Sequence, residues 1–121
     1  MKYIVTGGAG FIGSNIVKKL VSKGNNVTVI DNLYTGKESN LEAVKDKINF
    51  LKDSILNIDL LEKEMKNIDG VFHQAALASV QDSFSKPDEY HNVNVNGTEN
   101  ILKIAKKNNF KVVYASSSSV Y

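Results

Sequence analysis

The chain has 121 residues, with 15 basic and 13 acidic side chains, 42% apolar residues, a single proline and no cysteine. That length accommodates one small domain and the apolar share is enough for a packed core, while the missing cysteines exclude a disulfide framework and any thiolate nucleophile or metal ligand. The formal charge of +2 arises from lysines scattered among acidic residues, without arginine, which disfavours a nucleic-acid footprint.

In chain order, residues 2–6 (K-Y-I-V-T) form a β-branched and aromatic run that stops at glycine, a buried-strand signal. From 11 to 23, Ile12, Ile16 and Leu20, with Val17 and Val21, recur at helical spacing opposite Lys18, Lys19 and Lys23, and Gly24 ends the pattern. A second strand is expected over 27–30, a short helix over 38–47, a third strand over 48–51, a helix around Ile58, Leu61 and Met65, and a fourth strand over 71–74. Pro87 suits the first turn of a helix running to about Asn108, with Ile101, Leu102 and Ala105 on its apolar stripe and lysines near its C-terminal end. A fifth strand covers 111–115. Alternation of strand and helix without repeats predicts an α/β fold, a doubly wound and mainly parallel Rossmann-type sheet in three layers. No run is long enough to span a membrane, and the opening residues lack the apolar stretch of a secretory signal. A soluble chain in a reducing, cytoplasmic compartment is therefore expected, with neither membrane nor nucleic acid as partner.

Four of the eight glycines lie in T-G-G-A-G-F-I-G-S, between the first strand and the first helix. Gly8, Gly10 and Gly13 match G-x-G-x-x-G, and Gly7, Gly10 and Gly13 match G-x-x-G-x-x-G. Either reading supplies a tight turn, close backbone approach to a pyrophosphate and tight helix–strand packing, below a helix N-terminus that favours phosphate. Asp31 ends the second strand, where a carboxylate can accept from an adenosine ribose and repel a 2′-phosphate, so NAD is favoured over NADP. Its alternatives are a helix cap or a turn residue.

These residues, with D-N-L-Y-T-G at 31–36, K-D-S at 52–54, H-Q-A-A-L-A-S-V at 73–80, V-N-G-T at 95–98 and Y-A-S-S-S-S-V-Y at 114–121, resemble the extended short-chain dehydrogenase/reductase family. Within it, the chain is most similar to the nucleotide-sugar epimerases, of the UDP-glucose 4-epimerase type. The resemblance covers the whole chain and implies that 1–121 is the N-terminal, NAD-binding part of a truncated enzyme whose sugar-binding domain is absent. It further implies that Phe11 and Ile12 lie against the pyrophosphate and that Asp31, Asn32, Leu33, Thr35 and Gly36 hold the adenosine ribose. Asp53 and Ser54 would border the adenine, Gln74, Ala75 and Ala76 the nicotinamide ribose, and Ser79, Val80 and Ser118 the sugar of a UDP-sugar or related substrate. Val93 stands where some relatives place a cofactor-contacting Asn, so nothing is carried over there.

By the same resemblance Ser117 is the catalytic hydroxyl. Dehydratases follow it with an acidic pair, whereas Ser118 and Ser119 follow here, so epimerisation is favoured over dehydration. Ser116 and Ser119 read better as partners for strand-end backbone. The implied reaction is oxidation of a sugar C4 hydroxyl by NAD, rotation of the ketose and hydride return, with a Y-x-x-x-K pair as base. That pair is missing: four residues after Tyr3, Tyr34, Tyr90 and Tyr114 stand Gly7, Glu38, Asn94 and Ser118. The chain alone is accordingly expected to be inactive. A stand-alone dinucleotide-binding or regulatory module, and a dehydratase or reductase of the same family, are the alternatives. A homodimer through the helix 87–108 is a further expectation. His73 and His91 make a poor metal site, and His73 is expected to be packed and hydrogen-bonded. Asn94 and Asn96 are unfavourable inside a helix, which predicts that one of them braces neighbouring backbone.

Overall fold

The structure, a computed structural model, describes residues 1–116. Its order is β1 (Lys2–Thr6), α1 (Phe11–Ser22), β2 (Asn26–Ile30), a 3-10 segment (Glu38–Lys47), β3 (Ile48–Leu51), α2 (Ile58–Glu64), β4 (Gly70–His73), α3 (Val80–Ser85), α4 (Pro87–His91), a π-helical turn (Asn92–Gly97), α5 (Thr98–Asn108) and β5 (Lys111–Tyr114). The strands form one sheet in the order β3-β2-β1-β4-β5, and every pairing is parallel. This is the doubly wound arrangement expected from the alternation of elements.

Two apolar clusters sandwich the sheet because successive strand residues point to opposite faces. On one face Ile4, Ile30 and Val71 meet Leu61 of α2, Met65 at its C-terminal end, and Ile101 and Ile104 of α5. On the other, Val5, Val27 and Val29 meet Val17 and Leu20 of α1 and Leu41 of the 3-10 segment. Burial on both faces is why the inner strands read as continuous apolar runs.

The sequence places β1 and β3 at their observed bounds, and the fourth and fifth strands end one residue earlier than expected, at His73 and Tyr114. The expected helix over 38–47 is instead a 3-10 segment, with Leu41 its only buried residue and Asn40 drawn toward the glycine loop by a bond from its Nδ2 to the Ala9 carbonyl at 2.8 Å. Without a buried stripe little favours regular α geometry there. The long helix from Pro87 is continuous to Asn108 but carries a π turn over Asn92–Gly97, an element the 3.6-residue periodicity does not announce. Helix α3 was also unforeseen. Its local signal exists: the Ser79 hydroxyl accepts from the Asp82 N–H at 3.3 Å in an S-x-x-D arrangement. Among the described residues no helix is long and apolar enough to cross a membrane.

Candidate dinucleotide cleft

Strand order reverses at β1, which has β2 on one side and β4 on the other, and the loops leaving these strands diverge around a crevice. A cleft of about 610 Å³, including its open mouth, lies there. Gly7, Gly10, Asp31, Asn32, Thr35 and Gly36 wall it from the β1–β2 side, Asp53 and Ser54 from beyond β3, and Gln74, Ala75 and Ala76 from beyond β4. The crossovers thus bring together residues from four separate stretches of sequence.

The glycine loop is built for close approach. Gly7 has φ +66°, and a Cβ there would stand 2.7 Å from the Ala75 nitrogen and 2.8 Å from the Gln74 carbonyl carbon. At Gly13 a Cβ would run into the Gly7 carbonyl oxygen, so the start of α1 can lie directly on the end of β1. Gly10 precedes α1 with extended backbone and no side-chain cap. The first-turn N–H groups of α1 therefore lack intrahelical acceptors and add a positive dipole end beside the loop. Phe11 and Ile12 stand on that turn, 83% and 61% exposed, beside the cleft rather than in its wall.

Asp31 is 8% exposed. Its Oδ2 accepts from the Ala9 N–H at 2.9 Å and its Oδ1 from the Leu33 N–H at 2.8 Å. The carboxylate thus ties the glycine loop to the turn after β2, yet two accepted bonds leave about two of its roughly four lone-pair sites for a ligand. The turn-residue role therefore leaves acceptor capacity free in the same side chain. A second such bond, from the Tyr34 N–H to Asn32 Oδ1 at 3.0 Å, tightens the turn. Leu33 is held at φ +62°, and its side chain packs on the α1-side core instead of lining the cleft. Asp53 accepts from the Ser54 N–H at 2.7 Å and from Asn57 Nδ2 at 3.0 Å; Asn57 in turn caps α2.

Beyond β4, the segment from Gln74 to Ser79 is gripped by the long helix. Asn94 Oδ1 accepts from the Leu77 N–H at 2.9 Å, and Asn94 Nδ2 donates to the Leu77 carbonyl at 2.9 Å. The Tyr90 hydroxyl accepts from the Ser79 N–H at 3.1 Å. Asn94 is the bracing residue that its unfavourable helical position predicted, while Asn96 reaches only the exposed Asn92 side chain at 3.0 Å. His73, 5% exposed, is the packed histidine expected. It lies 2.6 Å from Thr6 Oγ1 through Nδ1 and 2.8 Å from Thr98 Oγ1 through Nε2, and desolvation lowers its pKa from 6.5 to about 4.

Ser79 is exposed and occupied in capping α3, and Val80 opens that helix. Ser117 and Ser118 lie outside the described residues. Ile30, Ile55, Leu77 and Val93 line the cleft without having been anticipated, and Tyr34, within the 31–36 stretch, lines it too. Val93, the position at which nothing was carried over, does face it. The Lys86 pKa is raised by its proximity to Tyr34, a cleft-lining residue, and then to Glu89 and Asp82.

Residues 3–121 match the family model of the NAD-dependent epimerase/dehydratase family. The UDP-N-acetyl-α-D-glucosaminuronate decarboxylase of Bacillus cytotoxicus is 41% identical over 118 residues, which is 98% of this chain and 37% of that protein. Among solved structures, the UDP-N-acetylglucosamine 4-epimerase of Methanobrevibacter ruminantium, in complex with UDP-N-acetylmuramic acid, superposes with a TM-score of 0.92 at 43% identity, covering 99% of this chain and 39% of that one. The UDP-glucose 4-epimerase of Bifidobacterium longum, in complex with NAD⁺ and UDP, gives 0.90 at 34% identity, covering 100% and 38%. The chain therefore spans well under half the length of these relatives.

Proposed function

The chain belongs to the NAD-dependent epimerase/dehydratase family, and from that premise we propose that it is the NAD-binding portion of a nucleotide-sugar 4-epimerase-like enzyme acting on a UDP-sugar. One observation carries the reading: a cleft at the strand-order reversal joins a glycine loop that admits no Cβ at Gly7 to a carboxylate at the end of β2. A dinucleotide fits that chemistry. The Gly7–Gly10 backbone and the first-turn N–H groups of α1 would take the pyrophosphate, flanked by Phe11 and Ile12, with Gly13 setting the helix in place. Asp31 would accept from the ribose hydroxyls beside Asn32, Leu33, Thr35 and Gly36, Asp53 and Ser54 would border the adenine, and Gln74, Ala75 and Ala76 would face the nicotinamide ribose. Ser79, Val80 and Ser118 belong to the sugar side, and Ser117 is the hydroxyl that would share the substrate proton. NAD, when bound, supplies a reversible hydride acceptor.

Among the described residues that line the cleft, no basic side chain joins Asp31 and Asp53, which disfavours a 2′-phosphate and supports NAD over NADP. No tyrosine in these 121 residues has a lysine four positions on, so the chain by itself is expected to give no turnover with UDP-sugars. Pairing of two copies through the helix 87–108 and a cytoplasmic location complete the proposal. Titration calorimetry tests it. NAD should bind, NADP should bind at least tenfold more weakly, and Asp31→Asn, which removes charge while leaving an acceptor, should weaken NAD by roughly ten- to a hundredfold. Equal affinity for the two cofactors, or no binding of either, would refute the reading.

A further inference from the structure

We propose that His73 is a positioning residue for the cofactor wall, holding the Gln74–Ala75 backbone in place as the neutral imidazole protonated on Nε2. The assignment follows from counting protons around two threonines. Thr6 Oγ1 accepts from the Ala75 N–H at 3.1 Å and shares the Gln74 N–H, 3.1 Å away, with the Thr6 carbonyl at 3.0 Å. Two donors thus approach the hydroxyl oxygen, and its one proton is directed at His73 Nδ1, 2.6 Å away. Thr98 donates its own hydroxyl proton to the Asn94 carbonyl at 2.7 Å, so the 2.8 Å contact with His73 Nε2 is satisfied only when Nε2 carries hydrogen. One proton arrangement satisfies every bond, and it joins β1, β4 and α5 through a single ring.

The consequence falls on the cleft because the backbone bound by Thr6 is the backbone that crowds Gly7. With Gly7 separated from Ala75 and Gln74 by no more room than a missing Cβ, a shift of either residue moves the glycine loop. Protonation of Nδ1 would set two donors against each other across the Thr6 contact, and Thr6 Oγ1 would have to loosen its hold on the Gln74 and Ala75 N–H groups to accept from it. Burial opposes that protonation, since desolvation is the cause that lowers the pKa of His73. The side chains bonded to the ring are Thr6 and Thr98, and its register neighbour on β5 is Tyr114.

The role in cofactor binding rests on the proposed NAD-binding reading of the cleft, whereas the proton arrangement does not. Two measurements separate them. In ¹⁵N–¹H imidazole correlation spectra of the wild-type chain at neutral pH, His73 should show a slowly exchanging Nε2–H and an unprotonated Nδ1; the opposite tautomer or a mixture would overturn the proposal. In the second, His73→Asn places an acceptor near Nδ1 and keeps the Thr6 link, so it should retain wild-type NAD affinity within about threefold, whereas His73→Leu should lose roughly tenfold and expose the Gln74 and Ala75 amides to faster hydrogen exchange. Wild-type affinity should also fall more steeply on acidification toward pH 4 than that of His73→Asn. Equal affinities and equal amide exchange in the two variants would overturn the positioning role. Failure of the wild-type chain to bind NAD would instead refute the functional reading, leaving the tautomer and the amide exchange as the test of the ring.

Discussion

Replacing Asn94 by alanine removes both partners of the Leu77 peptide groups, an N–H and a carbonyl each bonded at 2.9 Å. Each lost bond to half-buried backbone costs about 1 kcal/mol. The higher helix propensity of alanine returns about 0.6 kcal/mol, leaving a net loss near 1.5 kcal/mol, and for a domain of this size roughly 4 °C of Tm follows each kcal/mol. Urea unfolding followed by circular dichroism, with thermal melts beside it, should therefore show Asn94→Ala about 6 °C less stable. Asn94→Asp should be worse, because it keeps the acceptor for the Leu77 N–H but sets a second carboxylate oxygen against the Leu77 carbonyl. The internal control is Asn96→Ala, which loses only a contact to an exposed side chain and should be neutral or slightly stabilising. A loss below about 0.5 kcal/mol in Asn94→Ala, or an equal loss in Asn96→Ala, would refute the bracing argument.

Three further outcomes are expected. Gly7→Ala should cost at least about 3 kcal/mol, since its Cβ would meet backbone at 2.7 Å, whereas Gly24→Ala, at φ +81° with nothing within 4 Å, should cost about 1 kcal/mol; equal thermal shifts would contradict the close-approach reading. Gly97→Ala should cost about 1–3 kcal/mol because its Cβ would lie 2.5 Å from Ile55 Cδ1, and Ile55→Val in the same chain should recover part of that loss in a double-mutant cycle. His73 binds a proton less readily when folded than when unfolded, so stability should fall as the pH drops from 6.5 toward 4. Burial accounts for about 3 kcal/mol of that fall, measurable as the difference between the pH–stability curves of the wild type and His73→Asn; parallel curves would count against it.

Much of this protein was legible because its signals are local. Strand β1 stops at glycine, α1 carries an apolar stripe, and the glycine loop sits between them, so fold class and the glycine-lined end of the cleft could be read from neighbouring residues. The place of Asp31 at the end of β2, in the cleft wall, was legible, but not its tie to Ala9, a bond across 22 positions of sequence. The side-chain direction of Leu33 was hidden for a related reason. Its left-handed backbone turns the side chain toward the core, and an apolar residue in a polar turn announces nothing of that in its spacing.

What the sequence determined by itself were the properties set within a few residues: which segments are extended, where α1 and the long helix from Pro87 run, where a backbone must run without a Cβ and where a carboxylate ends a strand. Tertiary structure alone decided which of these meet. Thr6 and His73 are 67 positions apart, and His73 and Thr98 are 25 apart; they come together only because parallel pairing requires crossovers that return β4 beside β1 and lay α5 over the sheet. The π turn and the proton arrangement of His73 belong to the same class. Each depends on hydrogen-bond partners supplied by other elements, and residue periodicity carries no information about a partner on another strand or helix.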